Sequence, residues 1–249
     1  MWTRFWQNFL INPAIVDFII NDIKKRANLL LDTIEIWPGK CALTRELIKI
    51  KPDLKVFEKD KDLFNYLLKC LDTNQIIIWD FLQVNISQII KNKKINVIGN
   101  LPYYITSPIF RKLSLQETPH MDYWIFMVQK EVWEKIKTNA KNKSMLWYLL
   151  NLNYNITYLK TVSSENFSPS PKVDSCLIRF EYTGANKNID PNWLFKLLSL
   201  INPVKKKTLW KIQKILEKQW YKFSFPEQFK NKRIHELNYD DINKIIFGK

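Results

Sequence analysis

The chain has 249 residues, enough for one large domain or a domain with a small appendage, and 46% are hydrophobic, which excludes global disorder. No apolar run reaches the ~18 residues a membrane span needs; residues 15–20 are interrupted by Asp17 and preceded by Pro13. The net charge of +15 points to a polyanionic partner, with nucleic acid first among the candidates.

Short β-branched runs alternate with helical patterns along the chain. Residues 31–36, 54–57, 76–78, 95–99 and 123–128 read as strands, and residues 43–49, 61–71, 84–91 and 108–113 read as helices between them. That alternation implies an α/β fold with a parallel sheet covered on both faces. Residues 153–162 and 175–182 read as two later strands, a closing hairpin. Residues 183–191 are polar and read as a linker; residues 192–200, 205–219 and 239–247 then read as helices. The expected division is a sheet domain over residues 1–184 and a basic helical domain over residues 185–249.

Cys41, Cys70 and Cys176 are scattered, no Cys-x-x-Cys occurs, and there are only two histidines, so no metal site is expected. Unpaired cysteines and the absence of a signal-peptide layout make a reduced, cytoplasmic setting the default. A monomer is expected, with no membrane partner.

In open α/β sheets, ligands bind beyond the carboxyl ends of the strands. The first strand ends in Glu35-Ile36-Trp37-Pro38-Gly39, the second in Glu58, the third in Asp80-Phe81 and the fourth in Asn100. An acid after the second strand suits a ribose diol, and Asp80 with its apolar neighbour suits an adenine amino group. Any one of these acids is more often a surface charge or a strand-end cap, but four in succession outline a nucleoside site. No Walker loop is present, which disfavours a nucleoside triphosphate. Asn100-Leu101-Pro102-Tyr103 follows a buried strand: amide and backbone carbonyls there can hold both hydrogens of an exocyclic amine while an aromatic ring stacks on the base.

Charge is concentrated late in the chain. Residues 185–249 hold 14 Lys/Arg against 6 Asp/Glu, +8 of the total +15. Lys205, Lys206 and Lys207, with Lys211 and Lys214 farther on, are expected to form a basic helical face.

The residues quoted, read together, resemble the ribosomal RNA adenine dimethyltransferases, and most nearly the bacterial small-subunit branch. The matching segments are QNFL (7–10), EIWPGKCALT (35–44), VFEKDKDL (56–63), DF (80–81), NLPYYITSPI (100–109), VQKEV (128–132), FSPSPKVDS (167–175) and KKKTL (205–209). The resemblance implies a Rossmann-like methyltransferase sheet with a small C-terminal helical domain, and S-adenosylmethionine as cofactor. It implies Asn8, Leu10, Trp37, Gly39, Glu58, Asp80 and Asn100 around the cofactor. Asn100, Leu101, Pro102 and Tyr103 would hold the target amine and base, and Tyr104, Phe167, Lys205, Lys206 and Lys207 would contact substrate. The implied partner is small-subunit (16S-type) ribosomal RNA or the pre-ribosomal small subunit, with two adjacent adenosines in a hairpin loop near the 3′ end as targets. Alternatives from the same residues are a large-subunit RNA methyltransferase and a non-catalytic RNA-binding assembly factor.

Three positions depart from that pattern. Trp6, Trp37 and Trp79 stand where the family carries glycine. The chain has 4 Gly and 10 Trp, whereas average usage near 7% would give roughly 17 Gly. The preferred expectation is that some or all of these are glycine in the protein as made, a UGA codon being read as glycine by the source. Decay to an RNA-binding remnant and a reshaped pocket are the other two readings. Trp133, Trp147, Trp210 and Trp220 also read as positions where a small residue would be unremarkable, and Cys41 is compact enough to matter little.

Overall fold

The computed structural model describes residues 7–90, 94–115, 121–137, 143–186, 188–218 and 224–247, apart from the side chains of Ile246 and Phe247. Trp6 and Trp220 lie outside the described residues.

The chain opens with β1 (Phe9–Leu10) and α1 (Pro13–Arg26). The Asn12 side chain accepts from the Ala14 N–H at 2.9 Å, Pro13 occupies the first helical turn, and Lys24, Lys25 and Arg26 face the carboxyl end. Ile15, Val16, Ile19, Ile20 and Ile23 recur at helical spacing and are all buried. The elements that follow are β2 (Asp32–Ile36), α2 (Thr44–Ile50), β3 (Lys55–Glu58), α3 (Phe64–Leu67), β4 (Ile76–Ile78), β5 (Ile95–Asn100), α4 (Thr106–Leu115), β6 (Met121–Gln129), α5 (Lys130–Ile136), α6 (Met145–Asn151), β7 (Tyr154–Val162), β8 (Phe167–Ser168) and β9 (Ser175–Tyr182). The last helices are α7 (Pro191–Ile201), α8 (Leu209–Lys218) and α9 (Tyr239–Phe247).

Among the described residues, seven strands form one sheet in the order β4-β3-β2-β5-β6-β9-β7. The β4–β3, β3–β2, β2–β5 and β5–β6 pairs are parallel, and β9 runs antiparallel to β6. From central β2 the chain moves outward through β3 and β4, then returns to lay β5 and β6 on the other side. The strand order therefore reverses between β2 and β5, and a crevice opens at their carboxyl ends. Gly99 permits that close pairing, since a Cβ there would lie 2.6 Å from the Ile36 carbonyl oxygen. β1 and β8 make a separate two-stranded pair that sets Leu10 opposite Phe167.

The chain divides into two compact units, residues 1–134 with 155–182 and residues 135–154 with 183–249. The core of the first combines the isoleucines of α1 with Leu47, Leu54, Val56, Ile98, Ile125 and Leu177. The second has its own core, in which Trp147, Tyr148 and Leu152 join Leu194, Leu198, Ile201, Leu209, Ile212 and Phe229. The expected division at 184/185 therefore needs one correction: residues 135–154 group with the second unit, and Trp147 and Tyr148 of α6 are buried in its core with side chains of α7–α9.

Three further expectations differ. Of the helix expected over 84–91, the described residues 84–90 form none: Asp80 accepts from Leu82 N–H and Asn85 from Ser87 N–H, and these local bonds hold the segment in short 3₁₀ turns. The helix expected over 61–71 is reduced to a 3₁₀ turn and α3. Lys205, Lys206 and Lys207 do not lie on a helix. They follow a 3₁₀ turn containing Pro203, and α8 begins only at Leu209, where Leu209 and Trp210 donate to the carbonyls of Lys232 and Lys230.

Candidate active site

The loop leaving β2 has an unusual backbone. Trp37, Gly39 and Cys41, at alternate positions, all take positive φ, at 57°, 57° and 68°. Trp37 N–H donates to the Phe57 carbonyl at 2.9 Å and Cys41 N–H to the Pro38 carbonyl at 3.0 Å, fixing the loop against β3. Gly39 has no room for a side chain, as a Cβ there would meet the Phe9 ring at 2.9 Å. A non-glycine residue at such angles is strained whatever its size. The Cys41 side chain fits its buried space, yet its backbone conformation is one that glycine takes without penalty, so this substitution matters more than compactness alone suggests.

Two buried carboxyl groups lie beside this loop, near enough for Glu58 to act electrostatically on Glu35. Glu58, fully buried at the end of β3, accepts from the N–H groups of Lys59 and Asp60 at 2.9 Å and of Gly39 at 3.3 Å. Burial pushes its pKa up to about 7, and those backbone N–H groups oppose the rise. Glu35, on β2, is buried too. Burial raises it to about 8, with the nearby Thr44 hydroxyl opposing the shift and the Glu58 charge adding to it. Glu35 Oε2 has no hydrogen-bond partner among the described residues. A buried acceptor left open beside a cleft is costly unless a ligand donor reaches it. Sequence reading named Glu35 as a strand end without giving it a role; the signal was its place one strand over from Glu58.

Asn100 ends β5, and its amide NH₂ donates to the Asn8 carbonyl at 2.9 Å. That bond fixes the amide plane and leaves Oδ1 as an acceptor. Leu101 N–H is held by the Met127 carbonyl at 3.1 Å. The Pro102 carbonyl already accepts from Ile105 N–H at 3.1 Å and the Thr106 hydroxyl at 3.4 Å, so it is engaged in starting α4. The Tyr103 hydroxyl bonds Ser175 Oγ at 2.8 Å, which locks the ring.

One open cleft gathers these groups. It is lined by Asn8, Leu10, Glu35, Trp37, Gly39, Glu58, Asn100, Leu101, Pro102 and Tyr103, together with neighbours such as Phe9 and Lys40 that sequence reading did not single out. Asp80, Tyr104 and Phe167 are not among the lining residues. Asp80 stands at the next strand end, tied to Lys59 Nζ at 2.8 Å and to Leu82 N–H. Tyr104 is exposed, and its charge neighbours include Lys59, Asp80 and Glu58. Phe167 is buried in the first core, opposite Leu10. Lys205, Lys206 and Lys207 are exposed in the second unit.

The tryptophans expected to replace glycine also separate. Trp37 lines the cleft in a left-handed backbone conformation. Trp79 is 62% exposed and has no positive φ, so its backbone accepts tryptophan. Trp147 is no substitute for a small residue: it is buried, its Nε1 donates to the Lys137 carbonyl at 2.9 Å, and it stacks on Tyr239.

The family model described as ribosomal RNA adenine dimethylase matches residues 2–247. The chain belongs to that family. It is 33% identical over 245 residues to the ribosomal RNA small subunit methyltransferase A of Hydrogenobaculum sp., an alignment spanning 97% of this chain and 90% of that one. Among solved structures, it is similar to a dimethyladenosine transferase from Plasmodium falciparum, at TM-score 0.77 and 23% identity over 96% of each chain. It is also similar to the 23S rRNA methyltransferase ErmE, at TM-score 0.67 and 20% identity over 96% of this chain and 98% of that one. These two likenesses speak for the dimethylase fold. A Rossmann-like methyltransferase sheet is thus the architecture that carries the Asn100–Tyr103 segment. No helix among the described residues is long and apolar enough to cross a membrane.

Proposed function

We propose that the chain is an S-adenosylmethionine-dependent dimethylase of the N6 amines of two adjacent adenosines in a hairpin loop near the 3′ end of small-subunit ribosomal RNA. It would act in the cytoplasm, as a monomer, on the RNA or the pre-ribosomal small subunit. The observation that carries this reading is Asn100: its NH₂ is held by Asn8, so its Oδ1 is the atom left to receive a substrate amine in the same cleft as Glu35, Glu58 and Tyr103.

The bound cofactor supplies an electrophilic methyl group on a sulfonium. Glu58 and the Gly39 backbone would hold its ribose, and Asp80, at the next strand end, its adenine. Glu35 Oε2, an acceptor with no partner among the described residues, fits the cofactor's ammonium group. The donor set therefore fits the cofactor, with the indole of Trp37 as the one misfit.

The adenine amine is a weak nucleophile because its lone pair is delocalised into the ring. Asn100 Oδ1 and the Leu101 carbonyl would accept its two hydrogens and turn the lone pair out of the base plane toward the methyl group. Tyr103, fixed by Ser175, would stack on the base, which must leave its own stack to enter. No strong general base is required, since the amine proton becomes acidic once the nitrogen has been alkylated. The same acceptors can serve twice, because the monomethylated amine still has a hydrogen and a lone pair. The exposed lysines of the second unit would grip the RNA backbone.

The test is transfer of labelled methyl groups to small-subunit RNA, followed by nuclease digestion and chromatography. N6,N6-dimethyladenosine at two adjacent positions is expected. Label found only on large-subunit RNA would favour the alternative substrate, and no label on either would contradict the reading.

A further inference from the structure

Ten tryptophans and four glycines are an unusual pair of counts, and the structure sorts the tryptophans. Trp124 is fully buried on β6, with its ring 5.0 Å from Phe180 and 6.1 Å from Phe126. Trp147 is buried, hydrogen-bonded through Nε1 at 2.9 Å and stacked on Tyr239. At both positions an indole fills the core, and removing either would leave a large cavity.

Trp37 is nearly as buried, at 6% exposed, but its backbone sets it apart. Its φ of 57° places a bulky side chain in the left-handed region, where every residue but glycine carries backbone strain. Gly39, two residues on in the same turn, shares that φ and leaves no space for a Cβ. Trp37 lines the cleft from this turn, together with Pro38, Gly39 and Lys40. Cys41 shows that the loop holds one left-handed side chain, but that side chain is buried and is not among the residues lining the cleft.

We infer that the protein as its source makes it carries glycine at position 37 and tryptophan at positions 124 and 147, the codon at 37 being one that the source reads as glycine. Glycine there relieves the strained turn and opens the cleft beside Glu35 and Gly39 to direct contact between ligand and backbone. Position 37 is then a specificity-determining position: glycine admits a nucleoside ligand and tryptophan excludes it.

The decisive experiment is peptide mapping by tandem mass spectrometry on full-length protein purified from the cells that make it. Glycine at 37 with tryptophan at 124 and 147 is expected. Tryptophan at 37 overturns the inference, and glycine at 124 or 147 overturns the sorting. A second measurement, which rests on the proposed methyl donor, compares the full chain carrying Trp37 with its Trp37→Gly variant by calorimetric titration with S-adenosylmethionine. The variant is expected to bind at least about tenfold more tightly, and equal affinities count against the inference. If neither protein binds, the methyl-donor reading fails, while the peptide spanning position 37 still decides the inference.

Discussion

At the scale of single residues, the proposed function gives roles to Asn100 and Glu35, and each makes a separate demand. Asn100→Ala removes the acceptor Oδ1 and the bond to Asn8. In the Trp37→Gly background it should lower methyl transfer by about 10²-fold or more while RNA binding stays within a factor of about two. Equal loss of both would make Asn100 a structural residue. Glu35 makes a pH demand. Its folded pKa, about 8, lies above the ordinary 4.5. Between those values the unfolded chain has released a proton that the folded chain keeps, so stability falls as pH rises through the window and levels off above it. Urea unfolding at pH 5 and pH 8 should show this decline, and Glu35→Gln should reduce it by roughly a few kcal/mol. A decline of the same size in the variant would show that Glu35 is not the group responsible. The place of Asn100 at a strand mouth was legible in the sequence, because a buried apolar run leads into it. The open lone pair of Glu35 was not, since burial and the absence of a partner are properties of the packed structure.

Helix α1 and the β2 loop show what holds the site at the scale of elements. α1 sends Ile15, Val16, Ile19, Ile20 and Ile23 into the first core, and Asn12 starts it. The same side chain donates to Asn166 Oδ1 at 2.6 Å, tying the helix entrance to the segment before β8. Asn12→Ala should therefore destabilise the protein by about 1 kcal/mol or slightly more, seen as a lower urea midpoint with an unchanged slope; an unaltered midpoint would mean that the cap is not contributing. The parallel strands were readable because each is a short β-branched run bounded by polar residues. α1 was not read as a helix although Asn12-Pro13 followed by recurring isoleucines carries that signal. The turn at Asn85 was misread because a side-chain bond to a neighbouring N–H group outcompeted helical ones, and apolar spacing does not reveal that competition.

At the scale of the whole molecule, the first compact unit carries the cleft, and the second carries Lys205, Lys206 and Lys207 exposed on a turn before α8, with Lys211 and Lys214 exposed on α8. Replacing Lys205, Lys206 and Lys207 with alanine should flatten the dependence of RNA affinity on salt, by about 0.7 in log–log slope for each single-strand phosphate that the variant no longer neutralises. An unchanged slope would locate the RNA surface elsewhere. The late concentration of charge was visible in composition, but the assignment of residues 135–154 to the second unit was not, because it depends on which core the face of α6 enters. The central claim is that one cleft at the reversal of strand order holds both methyl donor and adenine. Its most direct test is a crystal structure of the Trp37→Gly protein with S-adenosylmethionine bound. The account predicts ribose hydroxyls within hydrogen-bond distance of Glu58, and the methyl group directed at the space in front of Asn100 Oδ1. A cofactor bound away from Glu58, or a methyl group turned away from Asn100, would contradict it.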